Sequence, residues 1–343
     1  MQSLGTLEDL PQSYRDKLTE LNLVPLWPNM RAVLPHKVPS RKTQMLNWRF
    51  DKLRPLLIEA GDLTPMEKAE RRVLVLANPG HGLTNMQATP SIYMGLQLIL
   101  PGETAPNHRH TPNAVRIIIE GEGATTIVDG EPCVMERGDL ILTPSGKWHE
   151  HQHEGDGPII WLDILDLPLI YQLEGSWAIE GKTQTNTLER DKSFAEYSAA
   201  GVVPEFDFHR ESTNSPMLRY PWTKTRACLV EMAQHYSDRP IRIAYVNPEN
   251  GASLFPSIGF GAMMLRPGET LSLPKRTTAC VFHIVEGEGS LKVDTNDAIL
   301  WTEKDTLSAP GYTDISLCNH STTKPAFIIT ADEAPLHRYL GIF

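Results

Sequence analysis

Apolar positions recur along this chain with two different periods. In L-E-D-L-P-Q-S-Y-R-D-K-L-T-E-L-N-L, residues Leu7, Leu10, Tyr14, Leu18 and Leu21 fall near helical spacing, which lines up one face of a helix. Trp27, Trp48 and Leu53 add apolar anchors further on. Residues 1–70 are therefore expected to form a helical N-terminal segment, packed as a lid on a barrel or on a neighbouring subunit. From Arg71 the period shortens to that of strands. R-R-V-L-V-L-A-N-P-G and Y-M-G-L-Q-L-I-L-P-G-E are apolar runs closed by turn residues, and R-I-I-I-E-G-E-G and T-T-I-V-D-G-E continue the series. These runs predict a first barrel over 71–175. Residues 176–240 are more polar, holding S-F-A-E-Y and W-T-K-T-R-A-C-L-V-E-M-A, and predict a connector with helices. Strand pattern returns over 241–343.

The second half repeats the first. G-L-Q-L-I-L-P-G-E at Gly95 is answered by G-A-M-M-L-R-P-G-E at Gly261, I-I-E-G-E-G at Ile118 by I-V-E-G-E-G at Ile284, and T-P-S-G at Thr143 by A-P-G-Y at Ala309. All three pairs are 166 residues apart (261 − 95, 284 − 118, 309 − 143). One offset for every match means a duplication. The expected fold is all-β, two tandem copies of one β-barrel with helical N-terminal and connecting segments.

The chemistry concentrates between Pro101 and Asp163. P-G-E-T-A-P-N-H-R-H places His108 and His110 two residues apart, and K-W-H-E-H-Q-H gives His149, His151 and His153 the same period. Strand side chains two apart share a face. His108 and His110 can therefore meet His149 from a second strand, and three imidazoles aimed into a small barrel make a metal site.

With 343 residues the chain can bury a large core. Its net charge of -10 gives no electrostatic reason to expect nucleic acid or an anionic membrane as partner. No apolar run approaches the roughly 18 residues that cross a bilayer. M-Q-S-L-G-T-L-E-D-L lacks the basic start and apolar run of a secretion signal. Cys133, Cys228, Cys280 and Cys318 form no CxxC pair, so reduced thiols in the cytoplasm are expected.

These residues resemble the cupin superfamily, whose motifs are G-x5-H-x-H-x3,4-E-x6-G and G-x5-P-x-G-x2-H-x3-N. Gly102, His108, His110 and Gly121 fit the first; Gly138, Pro144, Gly146 and His149 fit the second. Two positions depart: Ala114 stands at the usual glutamate and His153 at the usual asparagine. Without the carboxylate, three neutral histidines leave a divalent metal its full charge. Such a centre favours an anionic, chelating substrate such as a 2-hydroxybenzoate. By analogy with the 2-His-1-carboxylate oxygenases, the remaining face of an octahedral iron has room for a bidentate ligand and dioxygen.

The bicupin duplication, helical start and three-histidine first barrel together resemble the gentisate 1,2-dioxygenase family, with its relatives acting on salicylate and 1-hydroxy-2-naphthoate. The resemblance implies Fe(II), ring cleavage between the carboxylated and hydroxylated carbons, and a homotetramer. Gentisate would give maleylpyruvate.

His108, His110 and His149 are the expected ligands. Arg116 lies two residues beyond Ala114, so it should point into the barrel, where an unpaired guanidinium is costly and an incoming carboxylate would satisfy it; an internal pair with Asp163 or Glu120 is the plainer alternative. His151 shares the parity of His149 and is the candidate for proton handling or for holding bound oxygen. Asp163, in W-L-D-I-L-D, needs a partner in its apolar strand. Resemblance gives it the task of orienting His151 or reaching a ring substituent, against a structural ion pair. Resemblance also carries over Arg72 as a second carboxylate anchor, although R-R-V-L-V-L does not separate it from Arg71. Tyr93 and Gly95 become pocket walls, and Gln97 a neighbouring polar group or a core amide. His153 reads as structural or supporting, and Trp148 and Trp161 as barrel core. In the second barrel the ligand positions become Pro274, Arg276, Cys280 and Ile315, so that copy is expected to be structural and to serve oligomerisation.

The leading expectation is an Fe(II) ring-cleaving dioxygenase of gentisate, with a small aromatic acid and O2 as its partners. A salicylate or 1-hydroxy-2-naphthoate dioxygenase is the alternative within enzymes. A non-catalytic binding or storage bicupin is the alternative outside them.

Overall fold

The computed structural model describes residues 5–183, 188–205 and 213–343. The first residues of the N-terminal segment and parts of the 176–240 connector therefore lie outside the described residues. Met1–Lys42 forms one unit and Thr43–Phe343 another. The first unit holds α1 (Gln12–Glu20) and α2 (Leu26–Val33), entered after Pro11 and Pro25, and neither helix has a buried residue.

In the larger unit, β1 (Leu46–Trp48) leads into α3 (Phe50–Leu63) and the short α4 (Met66–Ala69). The first barrel is β2 (Arg72–Val75), β3 (Tyr93–Ile99), β4 (Thr104–His110), β5 (Ala114–Glu120), β6 (Ala124–Val128), β7 (Glu131–Val134), β8 (Leu140–Thr143), β9 (His149–His153) and β10 (Ile159–Leu165). After α5 (Leu167–Gln172), the connector supplies β11 (Ala178–Glu180), α6 (Lys192–Tyr197), β12 (Arg219–Tyr220) and α7 (Trp222–His235). The second barrel is β13 (Ile241–Ala244), β14 (Gly259–Leu265), β15 (Thr270–Leu273), β16 (Cys280–Glu286), β17 (Glu288–Val293), β18 (Ile299–Thr302), β19 (Thr306–Ala309), β20 (Ile315–Asn319) and β21 (Ala326–Asp332), closed by α8 (Ala334–Tyr339).

Each barrel is a pair of antiparallel sheets. The first joins β12-β8-β5-β10-β3-β2 to β11-β4-β9-β6-β7; the second joins β1-β19-β16-β21-β14-β13 to β15-β20-β17-β18. The fold is a bicupin. β3 and β14 start 166 residues apart (259 − 93), as do β5 and β16 (280 − 114), and β9 and β20 (315 − 149).

Strand alternation explains why the apolar runs are almost continuous. Met94, Leu96 and Leu98 of β3, Val115, Ile117 and Ile119 of β5, and Ile160, Leu162 and Ile164 of β10 join one core. That core also takes in Val281 and Phe327 of the second barrel. The alternate residues of the same strands turn inward, where Ile118 and Trp161 meet Ala105, Ala124 and Cys133 of the opposite sheet. A polar residue at an inward position is thereby held inside the first barrel, cut off from water by a second apolar layer. Gly121 and Gly287, again 166 apart (287 − 121), turn the E-G-E-G segments with φ of +103° and +105°. A Cβ on Gly121 would stand 2.5 Å from the carbonyl oxygen of Pro158, so the turn needs glycine.

The copies are also cross-braced. β1, which precedes the first barrel, pairs with β19 of the second; β12, which precedes the second, pairs with β8 of the first. Each leads into a 14-residue helix. The first N–H of α3, on Phe50, donates to Asp305 at 2.8 Å, and that of α7, on Trp222, donates to Asp139 at 2.8 Å. Both aspartates satisfy an orphan helix N–H and complement the positive end of the helix. The duplication thus reaches into segments that the sequence reading assigned to a helical arm and a connector.

Candidate metal centre

β4 and β9 are adjacent and antiparallel, with His108 directly opposite His149 after a register shift in β4. The ring centroids lie 3.9 Å apart for His108 and His149, 4.9 Å for His110 and His149, and 5.5 Å for His108 and His110. One ring nitrogen from each of the three lies within 4.8 Å of the others.

The backbone fixes their tautomers. Nδ1 of His108 donates to the Pro106 carbonyl at 3.0 Å, that of His110 to Pro112 at 2.8 Å, and that of His149 to Lys147 at 3.0 Å. In every case the carbonyl is two residues away, so local strand geometry orients the ring. With Nδ1–H committed, each Nε2 keeps a lone pair. The Nε2 of His149 is buried without a partner among the described residues.

Burial is the first cause that keeps these rings neutral. It pulls His108 down to about 2, helped by the positive charge of Arg71, and His110 to about 4, helped by Arg116. His149 moves well below its ordinary value for the same reasons. Neutral imidazoles with converging lone pairs, His108 and His149 buried and His110 half-buried, fit a divalent metal ion. Ala114, where cupins usually carry a carboxylate, is buried on β5 and contributes no charge.

Behind the triad stands a row of directly opposed residues. Asp163 of β10 faces Gly95 on β3 and Arg116 on β5. Arg116 donates from Nη1 to the Thr143 hydroxyl at 2.9 Å, and its Nε lies 3.3 Å from Asp163 Oδ1. Asp163 accepts from the Trp161 indole at 3.0 Å. Arg116 is therefore partnered before any ligand arrives, and the pair with Asp163 is the plainer alternative the sequence reading left open. Burial pushes Asp163 up and Arg116 down, and each opposes the shift of the other.

Two sequence expectations are corrected. Asp163 does not orient His151. That ring is held instead by Thr126, whose hydroxyl lies 2.9 Å from Nδ1, while its Nε2 is buried and unpartnered among the described residues. Arg72 does not face the histidines. It pairs with Glu103 and its Nη1 reaches under α3, 3.0 Å from where a Cβ of Gly61 would stand. The register explains this: Arg72 lies opposite Leu98, a residue of the outer core. Arg71 is the inward one, close enough for its charge to act on His108, His110, His151 and Asp163.

The remaining residues follow strand parity. Gln97 is buried with its amide nitrogen unpartnered among the described residues. A Cβ on Gly95 would stand 2.6 Å from the Tyr93 hydroxyl and 2.5 Å from Val73, so glycine there lets Tyr93 fold over the strand. Burial and the Asp163 charge both push the Tyr93 hydroxyl up, keeping it neutral. Trp161 is barrel core, 4.9 Å from the His151 ring. Trp148 is not: it is half-buried, with the Arg109 guanidinium 4.8 Å over its ring. His153 bonds to the Gly157 carbonyl and the Gly155 N–H, a structural use.

Comparison with known proteins agrees with this geometry. The cupin domain model matches residues 95–165. The chain is 56% identical to a gentisate 1,2-dioxygenase of Ralstonia sp over 99% of its own length and 95% of the relative's. The chain belongs to the gentisate 1,2-dioxygenase family. A 5-aminosalicylate 1,2-dioxygenase of Comamonas sp, 32% identical across 98% of this chain and 89% of the relative, is a further relative. Among solved structures, a salicylate 1,2-dioxygenase from Pseudoaminobacter salicylatoxidans, described as adducts with gentisate, matches with a TM-score of 0.90 at 29% identity. That match covers 100% of this chain and 94% of the other. The match spans both barrels, including the second copy, where Pro274, Arg276 and Ile315 stand at the positions of the triad.

Proposed function

We propose that this chain is an Fe(II)-dependent dioxygenase that opens the ring of a 2-hydroxybenzoate, with gentisate and O2 giving maleylpyruvate and both oxygen atoms entering the product. The observation that carries this reading is the carboxylate-free triad of neutral imidazoles beside two guanidiniums, Arg71 and Arg116. Fe(II) held by Nε2 of His108, His110 and His149 would supply a centre that the substrate chelates through carboxylate and ortho-hydroxyl and at which dioxygen is activated.

The chain's own groups do the rest. Arg116 and Arg71 balance the charge of the substrate carboxylate. Thr126 holds Nδ1 of His151, so its Nε2 is the atom available to take and return a phenolic proton. Asp163, anchored by Trp161 and Arg116, presents its side of the pocket to a ring substituent together with Tyr93. Gly95 makes room for Tyr93 to form the pocket wall, and the Gln97 amide offers a donor. The two apolar layers around the lumen exclude water.

This reading includes a division of labour. Segment 1–70 and connector 176–240 support a metal-binding barrel over 71–175 and a metal-free barrel over 241–343, in a cytoplasmic homotetramer. Four free cysteines and the absence of any described helix long and apolar enough to cross a membrane are compatible with it.

The test is oxygen uptake. Iron-loaded protein given gentisate and air should consume O2 and develop the ultraviolet absorbance of the ring-opened product. Turnover of salicylate, which lacks the 5-hydroxyl, would move the assignment to the salicylate or 1-hydroxy-2-naphthoate type. No uptake with any hydroxybenzoate would remove the proposal.

A further inference from the structure

The second barrel keeps a cavity where the first has its triad. The residues 166 positions after His108, His110, Ala114 and His149 are Pro274, Arg276, Cys280 and Ile315, and all four line one cavity. Its volume is ≈ 30 Å³, room for a single small group. Proline, arginine and isoleucine do not ligate a metal, so this cavity has a different chemistry from its counterpart.

That chemistry is cationic. Arg242 of β13 also lines the cavity. It lies opposite Met263 as Val73 lies opposite Gln97, so a guanidinium has taken an inward valine position. Among the described residues it has no hydrogen bond and no ion pair within 4.0 Å. Arg276 Nη1 lies 3.7 Å from Asp332 Oδ2, while Oδ1 of Asp332 accepts the Ala334 N–H at 2.8 Å. Arg242, Arg276 and Asp332 also line an outer groove of ≈ 430 Å³, to which Arg338 contributes.

The other titratable groups do not offset this charge. Burial raises the Cys280 thiol well above its ordinary value, so it is neutral. Burial likewise pushes Asp332 up, and lifts Glu333, bonded to Thr89, to about 7. His337, nearby on α8, is pulled down by burial and bonds to Thr277. Three guanidiniums thus face one aspartate. A half-buried guanidinium without a partner is costly, and a planar oxyanion satisfies it with paired hydrogen bonds.

We propose that the second barrel binds a small carboxylate or related oxyanion between Arg242 and Arg276, its remainder lying in the groove beside Arg338. The proposal does not rest on the chemistry of the first barrel. Two sources share the required headgroup, a short dicarboxylate such as a ring-opening product and inorganic phosphate.

Calorimetric titration of the whole protein with maleate, and separately with phosphate, at fixed ionic strength distinguishes them. The expected result is one site per chain, retained in His149→Ala and weakened roughly tenfold or more in Arg242→Met. Arg276, whose side chain is 33% exposed, gives a second variant, Arg276→Met, should Arg242→Met fail to fold. Maleate binding alone assigns a dicarboxylate site; equal binding of phosphate assigns a general oxyanion site. Binding of neither anion, or binding lost in His149→Ala and kept in Arg276→Met, would overturn the proposal.

Discussion

Arg116 and Asp163 stand directly opposite one another on β5 and β10, with Nε 3.3 Å from Oδ1. They are close as charges but not aligned as a hydrogen bond, since both atoms are buried without a bonded partner among the described residues. A substrate carboxylate can therefore take over Arg116 without dismantling a well-formed pair. Arg116→Ala should leave iron content intact and raise KM about 10- to 100-fold, the range of a charge-assisted hydrogen bond. Loss of the guanidinium also strands Asp163, so the melting temperature should fall. Parallel iron analysis and steady-state kinetics check this; an unchanged KM would take Arg116 out of the site.

The two neighbouring arginines make opposite predictions. Arg71→Ala should weaken substrate binding with little change in stability, because no ion pair among the described residues is lost. Arg72→Ala should leave KM unchanged and lower the melting temperature, since Arg72 is buried against Glu103 beneath α3. Kinetics and thermal melts of the two variants settle which one serves the substrate. A KM effect confined to Arg72→Ala would restore the sequence expectation.

Thr126 is a positioning residue. Its hydroxyl is fully buried and holds His151 Nδ1 at 2.9 Å. Thr126→Val keeps the shape and removes the hydrogen bond. The expected outcome is a drop in kcat of roughly tenfold or more with KM and iron content little changed. Thr126→Ser, which keeps the hydroxyl, should restore kcat. Equal losses in both variants would mean that the residue only packs.

Stability should fall as pH rises towards neutrality because of Glu333. Its folded value is raised by burial from 4.5 to about 7. A carboxyl that holds its proton more tightly when folded contributes fully below 4.5 and loses that contribution as pH passes about 7. Glu333→Gln should therefore match the wild type near pH 4.5 and exceed it at pH 8, by on the order of 3 kcal/mol. Melting curves across that range test the sign. A constant difference between the two proteins would exclude Glu333 as the source.

Much of the fold and of the site is legible in the sequence. The triad follows from a two-residue period in two strands, and the second barrel from a single offset. What escaped depends on registers that the sequence does not print. Arg71 and Arg72 differ by one residue, hence by one face, and only pairing of β2 with β3 decides between them. Thr126 lies on β6, directly opposite His151, but T-T-I-V carries no signal that a histidine stands across from it. The exchange of β1 and β12 was hidden because strands of three and two residues fall below any detectable period.

Iron stoichiometry tests the central claim most directly. Metal-free protein titrated with Fe(II) should gain gentisate-dependent oxygen uptake linearly up to one iron per chain, and His149→Ala should gain none while keeping its folded circular-dichroism spectrum. Full activity without metal, or activity that survives in His149→Ala, would contradict the account.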